Sequence, residues 1–173
     1  MLSFDIGALQ SHAAAVDGEL APDDPIWQEG DLRPSGPIHV VGRLSTAGPG
    51  RYYFSGHIEG SADAECRRCL ADVTEHVAAD SHMIFADAEL EDADDESDVF
   101  VLEPGARSLD LRPAVREEWL LAVPAFSLCR EDCKGLCPKC GADLNEGPCD
   151  CPQTTDSRWD ALNTAKAERS DTD

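Results

Sequence analysis

The chain has 173 residues, of which 35 are Asp or Glu and only 14 are Lys or Arg, giving a formal net charge of −21. That length suits one domain of ordinary size with a small appendage, and 42% hydrophobic residues are enough for a core. A surface of this sign repels a phosphate backbone and favours basic proteins as partners.

Met1-Leu-Ser-Phe-Asp-Ile-Gly lacks the basic and apolar regions of a secretory signal, and no apolar run approaches the roughly 18 residues of a membrane span. A cytoplasmic protein with no membrane partner is therefore expected, in which thiols stay reduced.

Residues 1–35 mix isolated apolar positions with turn signals such as Asp17-Gly18 and Pro22-Asp-Asp-Pro25, and read as an irregular N-terminal arm or a short strand and helix leading into the core. Residues 36–128 read as a β-rich core. Ile38, Val40, Val41 and Leu44 precede a turn at Ala47-Gly-Pro-Gly50, and Tyr53, Phe54 and Ile58 follow it, the pattern of a hairpin. Val73, Val77 and Met83-Ile-Phe85 suggest more strand. Residues 87–98 hold eight acids in twelve positions and read as a solvated loop or as bait for a basic partner. Val99-Phe-Val-Leu102 reads as a strand returning to the core.

One clear helix is expected over 110–124, with Asp110 as N-cap, Pro113 in the first turn and Pro124 as the stop. Val115, Trp119, Ala122 and Val123 recur at helical spacing, so Trp119 is assigned to the core, with Arg116, Glu117 and Glu118 off that stripe. Residues 129–152 form a cysteine-rich module. Residues 153–173 form a tail in which Ser157-Arg-Trp159-Asp-Ala-Leu162 could be a short amphipathic helix.

The chemistry lies in eight cysteines: Cys66 and Cys69, then Cys129, Cys133, Cys137, Cys140, Cys149 and Cys151. Two sets of four thiolates match the tetrahedral shell of two structural zinc ions, and Cys-x-x-Cys turns converge more naturally on one ion than on each other. Spacing favours Cys137, Cys140, Cys149 and Cys151 as one site across a short loop. Cys66, Cys69, Cys129 and Cys133 would then form a second site tying the β-rich body to the segment after the helix. A competing assignment moves Cys129 and Cys133 into the C-terminal site, and spacing leaves both open. Arg67, Arg68, Arg130, Lys134 and Lys139 surround these thiols, either offsetting the charge of about −2 of each zinc tetrathiolate or forming a small phosphate-binding patch.

Catalytic patterns are thin. His12, His39, His57, His76 and His82 are scattered, and no phosphate loop, G-x-S-x-G or H-E-x-x-H motif occurs. Two closed four-thiolate sets leave no open metal position for water, and no small-molecule substrate is indicated.

Cys66-Arg-Arg-Cys69-Leu70, Arg116-Glu-Glu-Trp-Leu-Leu-Ala-Val-Pro124 and Leu128-Cys129-x3-Cys133-Lys-Gly-Leu-Cys137-Pro-x-Cys140-Gly-x-x-Leu-Asn145 together resemble the YceD family, the large ribosomal RNA subunit accumulation proteins, over roughly residues 36–152. Trp119 stands where that family usually has an aliphatic residue. The resemblance implies a non-enzymatic factor in synthesis, processing or stability of 23S rRNA, with all eight cysteines as motif residues. The expected fold is α+β: a small, mostly antiparallel, barrel-like sheet with one packed helix and a zinc-organised C-terminal module. The expected action is that of an acidic scaffold for a basic ribosomal or assembly protein of the large subunit, with precursor 23S rRNA as a further possible partner. Alternatives are a direct RNA-binding zinc ribbon and a thiol oxidoreductase using Cys66 and Cys69.

Overall fold

Alternating apolar residues in four long stretches build a sheet, and the computed structural model describes it over residues 2–88 and 99–152. In chain order the elements are β1 (Ser3–Asp5), α1 (Ile6–Leu9), β2 (Ala14–Leu20), β3 (Ile38–Thr46), β4 (Arg51–Glu65), β5 (Asp72–Asp87), β6 (Val99–Leu102), β7 (Ser108–Asp110) and α2 (Arg112–Ala122). The main sheet has five strands in the order β2-β3-β4-β5-β6, antiparallel from β2 to β5 and parallel between β5 and β6. β1 and β7 form a separate two-stranded pair.

The expected hairpin at Ala47–Gly50 is present, with Gly48 and Gly50 at φ 126° and 66°, where glycine is favoured. Its register sets Leu44 opposite Phe54 and Gly42 opposite Gly56. On β3 and β4, Ile38, Val40, Leu44, Tyr52, Phe54, Ile58 and Ala62 are buried, the period-two signature of a sheet with one covered face. The ring of Phe54 fills the space that a side chain at Gly42 would need: a Cβ there would lie 2.8 Å from Phe54 Cε2.

The helix falls where the prolines place it. Pro113 sits in the first turn and Pro124 lies just beyond the last helical residue, Ala122. The N-cap is Leu111, not Asp110, and it offers no side-chain oxygen. Asp110 instead accepts from the Arg112 backbone N–H at 3.0 Å and binds its guanidinium at 2.7 Å. Trp119 is fully buried, its indole N–H donating to the Leu32 carbonyl at 2.9 Å. Its ring lies on Gly60, where an added Cβ would stand 2.8 Å from Trp119 Cζ3.

The barrel expectation is corrected. The sheet does not close into a barrel: β2 and β6 are its edges, and β6, with four residues, could not span the seven of β2. Of the two readings of the first 35 residues, the structure has the short strand and helix leading into the core, β1 and α1, and adds the edge strand β2, with Val16 and Leu20 buried. Apart from Asp87 at the end of β5 and Ala88 after it, the acidic stretch lies outside the described residues, as does the tail from residue 153.

Candidate metal centres

The long β4–β5 hairpin turns at Cys66-Arg-Arg-Cys69, so the first thiol pair is delivered by the tip of two paired strands. Cys66 N–H donates to Ala71 O at 2.8 Å and Leu70 N–H donates to Cys66 O at 2.8 Å. Beyond α2, the segment carrying Cys129 returns to this tip, where Arg67 N–H donates to Ser127 O at 2.9 Å. The second Cys-x-x-Cys pair repeats the turn: Cys137 N–H reaches Ala142 O at 2.8 Å and Gly141 N–H reaches Cys137 O at 2.9 Å.

The eight sulfurs gather into two quartets, Cys66 with Cys69, Cys129 and Cys133, and Cys137 with Cys140, Cys149 and Cys151. Within each, all sulfurs lie within 4.8 Å of one another. A tetrahedral zinc shell with bonds of about 2.3 Å places its sulfurs about 3.8 Å apart. Cys66 and Cys133 are at 3.8 Å and Cys69 and Cys129 at 3.6 Å, which fits that shell and is far too long for a disulfide. The partition follows the favoured pairing of the sequence, not the competing one.

Each quartet contains one thiol that ionises readily. Backbone N–H groups of Cys129 and Cys69 point at Cys66 and lower its pKa to about 6. N–H groups of Cys140 and Lys139 do the same for Cys137, also to about 6. Each quartet also contains a thiol that resists sharing that charge. Cys129, exposed as a residue but crowded by sulfur, is pushed up to about 12 by loss of hydration and then by the Cys69 and Cys133 thiols. Cys151 is pushed up to about 12 by hydrogen bonding to Cys140 and then by lost hydration. Four thiolates in one such space need a cation, and a soft divalent ion suits an all-sulfur donor set.

Arg68, expected among the cations around the thiols, and Asn145, quoted only as the end of the cysteine motif, hold the quartets together through contacts that spacing did not show. Arg68 donates to Glu131 O at 3.1 Å and Cys133 O at 2.8 Å, while its own carbonyl accepts from Leu136 N–H at 3.0 Å. Asn145 accepts from Lys134 N–H at 2.8 Å and from Arg130 at 2.9 Å, and its amide lies 3.5 Å from Cys133 Sγ. Both roles connect residues distant in sequence, so no local pattern marks them. Arg67 lies over the Phe126 ring at 3.8 Å, and Lys139 donates to Pro152 O at 2.6 Å.

The histidines take no part in the quartets. His39, His57 and His76 pair with Glu19, Asp80 and Glu59, and His82 with Tyr53, on exposed positions of the sheet. No helix among the described residues is long and apolar enough to cross a membrane.

The family model described as large ribosomal RNA subunit accumulation protein YceD matches residues 54–166, which include all eight cysteines. Uncharacterized proteins of Mycobacterium bovis and Mycobacterium tuberculosis are each 30% identical over 120 residues, covering 68% of this chain and 57% of theirs. The chain thus spans little more than half the length of these relatives. An Arabidopsis thaliana protein described as large ribosomal RNA subunit accumulation protein YCED homolog 1, chloroplastic, is 38% identical over 48 residues, 28% of this chain and 15% of that protein. No solved structure matches significantly.

Proposed function

The chain belongs to the YceD family, and from that premise we propose that it is a non-enzymatic factor in the synthesis, processing or stability of large-subunit (23S) ribosomal RNA. The observation that carries this reading is the pair of complete sulfur quartets inside the matched region. Cys66, Cys69, Cys129 and Cys133 would hold one zinc ion, and Cys137, Cys140, Cys149 and Cys151 a second. The metal supplies structural cross-linking: the first site joins the β4–β5 tip to the segment after α2, and the second closes the C-terminal module on itself.

With a net charge of −21, the protein is read as an acidic scaffold in the cytoplasm. Its partner would be a basic ribosomal or assembly protein of the large subunit, attracted by long-range charge. Direct RNA contact is the weaker reading, because Arg68 and Arg67 are engaged by backbone carbonyls and by Phe126. Thiol redox chemistry is weaker still. The easily ionised Cys66 is fully buried, whereas a redox nucleophile needs access.

The test is affinity capture of the tagged full chain from growing cells, with and without RNase. Large-subunit proteins that stay bound after RNase, and leave as salt rises, support the acidic scaffold. Complete loss with RNase transfers the contact to RNA. Retrieval of no large-subunit component in either arm overturns the reading.

A further inference from the structure

Three residues, Lys134, Gly135 and Leu136, separate Cys133 of the first quartet from Cys137 of the second. This strap is held from both sides. Leu136 N–H donates to the Arg68 carbonyl at 3.0 Å, inside the turn of the first thiol pair. From the other side, Leu144 N–H donates to the Gly135 carbonyl at 2.9 Å, and Asp143 pairs with Leu136 in an antiparallel bridge. Gly135 lies at φ 74°, and a Cβ there would stand 2.7 Å from the Arg68 carbonyl oxygen, so the strap fits the first turn only with glycine.

Asn145 belongs to the loop between Cys140 and Cys149 and reaches back across the strap. Its side-chain oxygen accepts from Lys134 N–H at 2.8 Å and from the Arg130 guanidinium at 2.9 Å. Both of those groups only donate, so the oxygen must face them and the amide nitrogen must face the other way. That nitrogen donates to Asp143 Oδ1 at 2.7 Å and to Cys133 Sγ at 3.5 Å. Asp143 Oδ1 also accepts the Asn145 backbone N–H at 2.8 Å, which fixes the side chain from a second direction. A residue supplied by the loop of one quartet thus donates a hydrogen bond to a sulfur of the other.

We infer that Asn145 couples the two metal centres, so that closure of the Cys137 quartet on a metal ion tightens the hold of the Cys66 quartet on its own. The inference rests on the metal reading proposed above. Closing the second quartet fixes both ends of the loop 141–148, through Cys140 and Cys149, and so presents the Asn145 amide to Cys133. With that quartet open, the loop must lose its freedom before the bond can form, and the first site binds more weakly for it. An N–H donated to a thiolate stabilises its charge and orients the sulfur. Loss of such a supporting contact typically costs about 10- to 100-fold in metal affinity, and the lower end is expected for a bond to one sulfur of a quartet. The coupling is mutual: filling the first site strengthens the second by the same factor.

The experiment loads the full chain with ¹¹³Cd, a soft ion suited to an all-sulfur shell, and follows its resonances by NMR as a competing chelator is added. Cys66→Ser and Cys149→Ser, each lacking one site, assign the signals. Cys149→Ser is expected to lower about tenfold the chelator concentration that half-empties the Cys66 quartet. Asn145→Ala should do the same while the second site is still filled, and should also shift the Cys66-quartet resonance. Combining the two substitutions should add nothing further, because both break one link. A Cys66 quartet that empties at the parent's chelator concentration in Cys149→Ser or in Asn145→Ala overturns the inference, as do effects of the two substitutions that add. A parent without any cadmium signal fails at the metal reading itself and takes the inference with it. Two signals that titrate independently leave the metal reading standing and overturn the inference alone.

Discussion

Arg116 and Asp31, 85 residues apart, meet through two guanidinium–carboxylate hydrogen bonds of 2.6 and 2.7 Å. The pair joins α2 to the stretch between β2 and β3, next to the point where Trp119 bonds to Leu32 O. Its two-pronged form is a geometry that lysine cannot reproduce. Arg116→Lys is therefore expected to lower the melting temperature measurably while leaving the far-UV spectrum unchanged. An unchanged melting temperature would show the contact to be idle.

The same contact sets an acid limit. Hydrogen bonds from Arg116 and from Gln28 N–H hold the Asp31 carboxyl below its ordinary 3.8. At Asp110, burial alone would raise the pKa, but the Arg112 hydrogen bonds outweigh it and the net shift is downward. A folded-state pKa below the unfolded value gives stability that is present above about pH 4 and is lost as pH falls through the folded value. Thermal stability should thus be flat in this respect at neutral pH and should fall below about pH 4. Replacing Asp31 by Asn should shrink that acid dependence; a profile unaltered by the substitution would assign it to other carboxylates.

The two quartets should differ in reach. Cys66→Ser removes a ligand that joins the sheet to the segment after α2, so the melting temperature should fall by on the order of 10 °C or more. Cys149→Ser should loosen chiefly the C-terminal module and leave the main transition nearly in place. Each variant should retain one zinc per chain by elemental analysis against two in the parent. Equal thermal effects, or a parent with no bound metal, would contradict this assignment.

Leu70, at φ 61°, is the one non-glycine residue with positive φ among the described residues, and exchange of the residues that follow the two Cys-x-x-Cys turns tests that strain directly. Gly141→Leu should cost about 1 to 2 kcal/mol, because it installs a side chain at φ 73°. Leu70→Gly should cost nothing or stabilise slightly, since release of strain offsets the added freedom of the unfolded chain. Chemical denaturation of both variants checks the sign, and destabilisation by Leu70→Gly would mean that the leucine is packed.

Gly60→Ala probes the seat of the helix. Its methyl group would stand 2.8 Å from Trp119 Cζ3, beneath a fully buried ring that has no room to retreat. Overpacking of this kind costs about 1 to 3 kcal/mol. A neutral result would show that α2 can slide on the sheet.

Much of this protein is written locally. Pro113 and Pro124 bracket α2 because proline is tolerated in the first helical turn and cannot continue a helix. Gly48 and Gly50 mark the hairpin because the turn needs φ values that glycine takes freely. The cysteine count and the paired Cys-x-x-Cys spacing define two four-sulfur donor sets, since short turns aim both thiols of a pair the same way.

Tertiary structure decided what depends on residues far apart. Cys66 finds Cys133 at 3.8 Å across 67 residues only because α2 returns the chain to the β4–β5 tip. Residues 14–20 join the sheet although turn signals surround them, because pairing with β3 buries Val16 and Leu20. The sheet stays open because its edges are strands of unequal length, a fact of topology and not of composition. Spacing along the chain fixes which groups can share a turn; only the packed fold brings separate turns to one place.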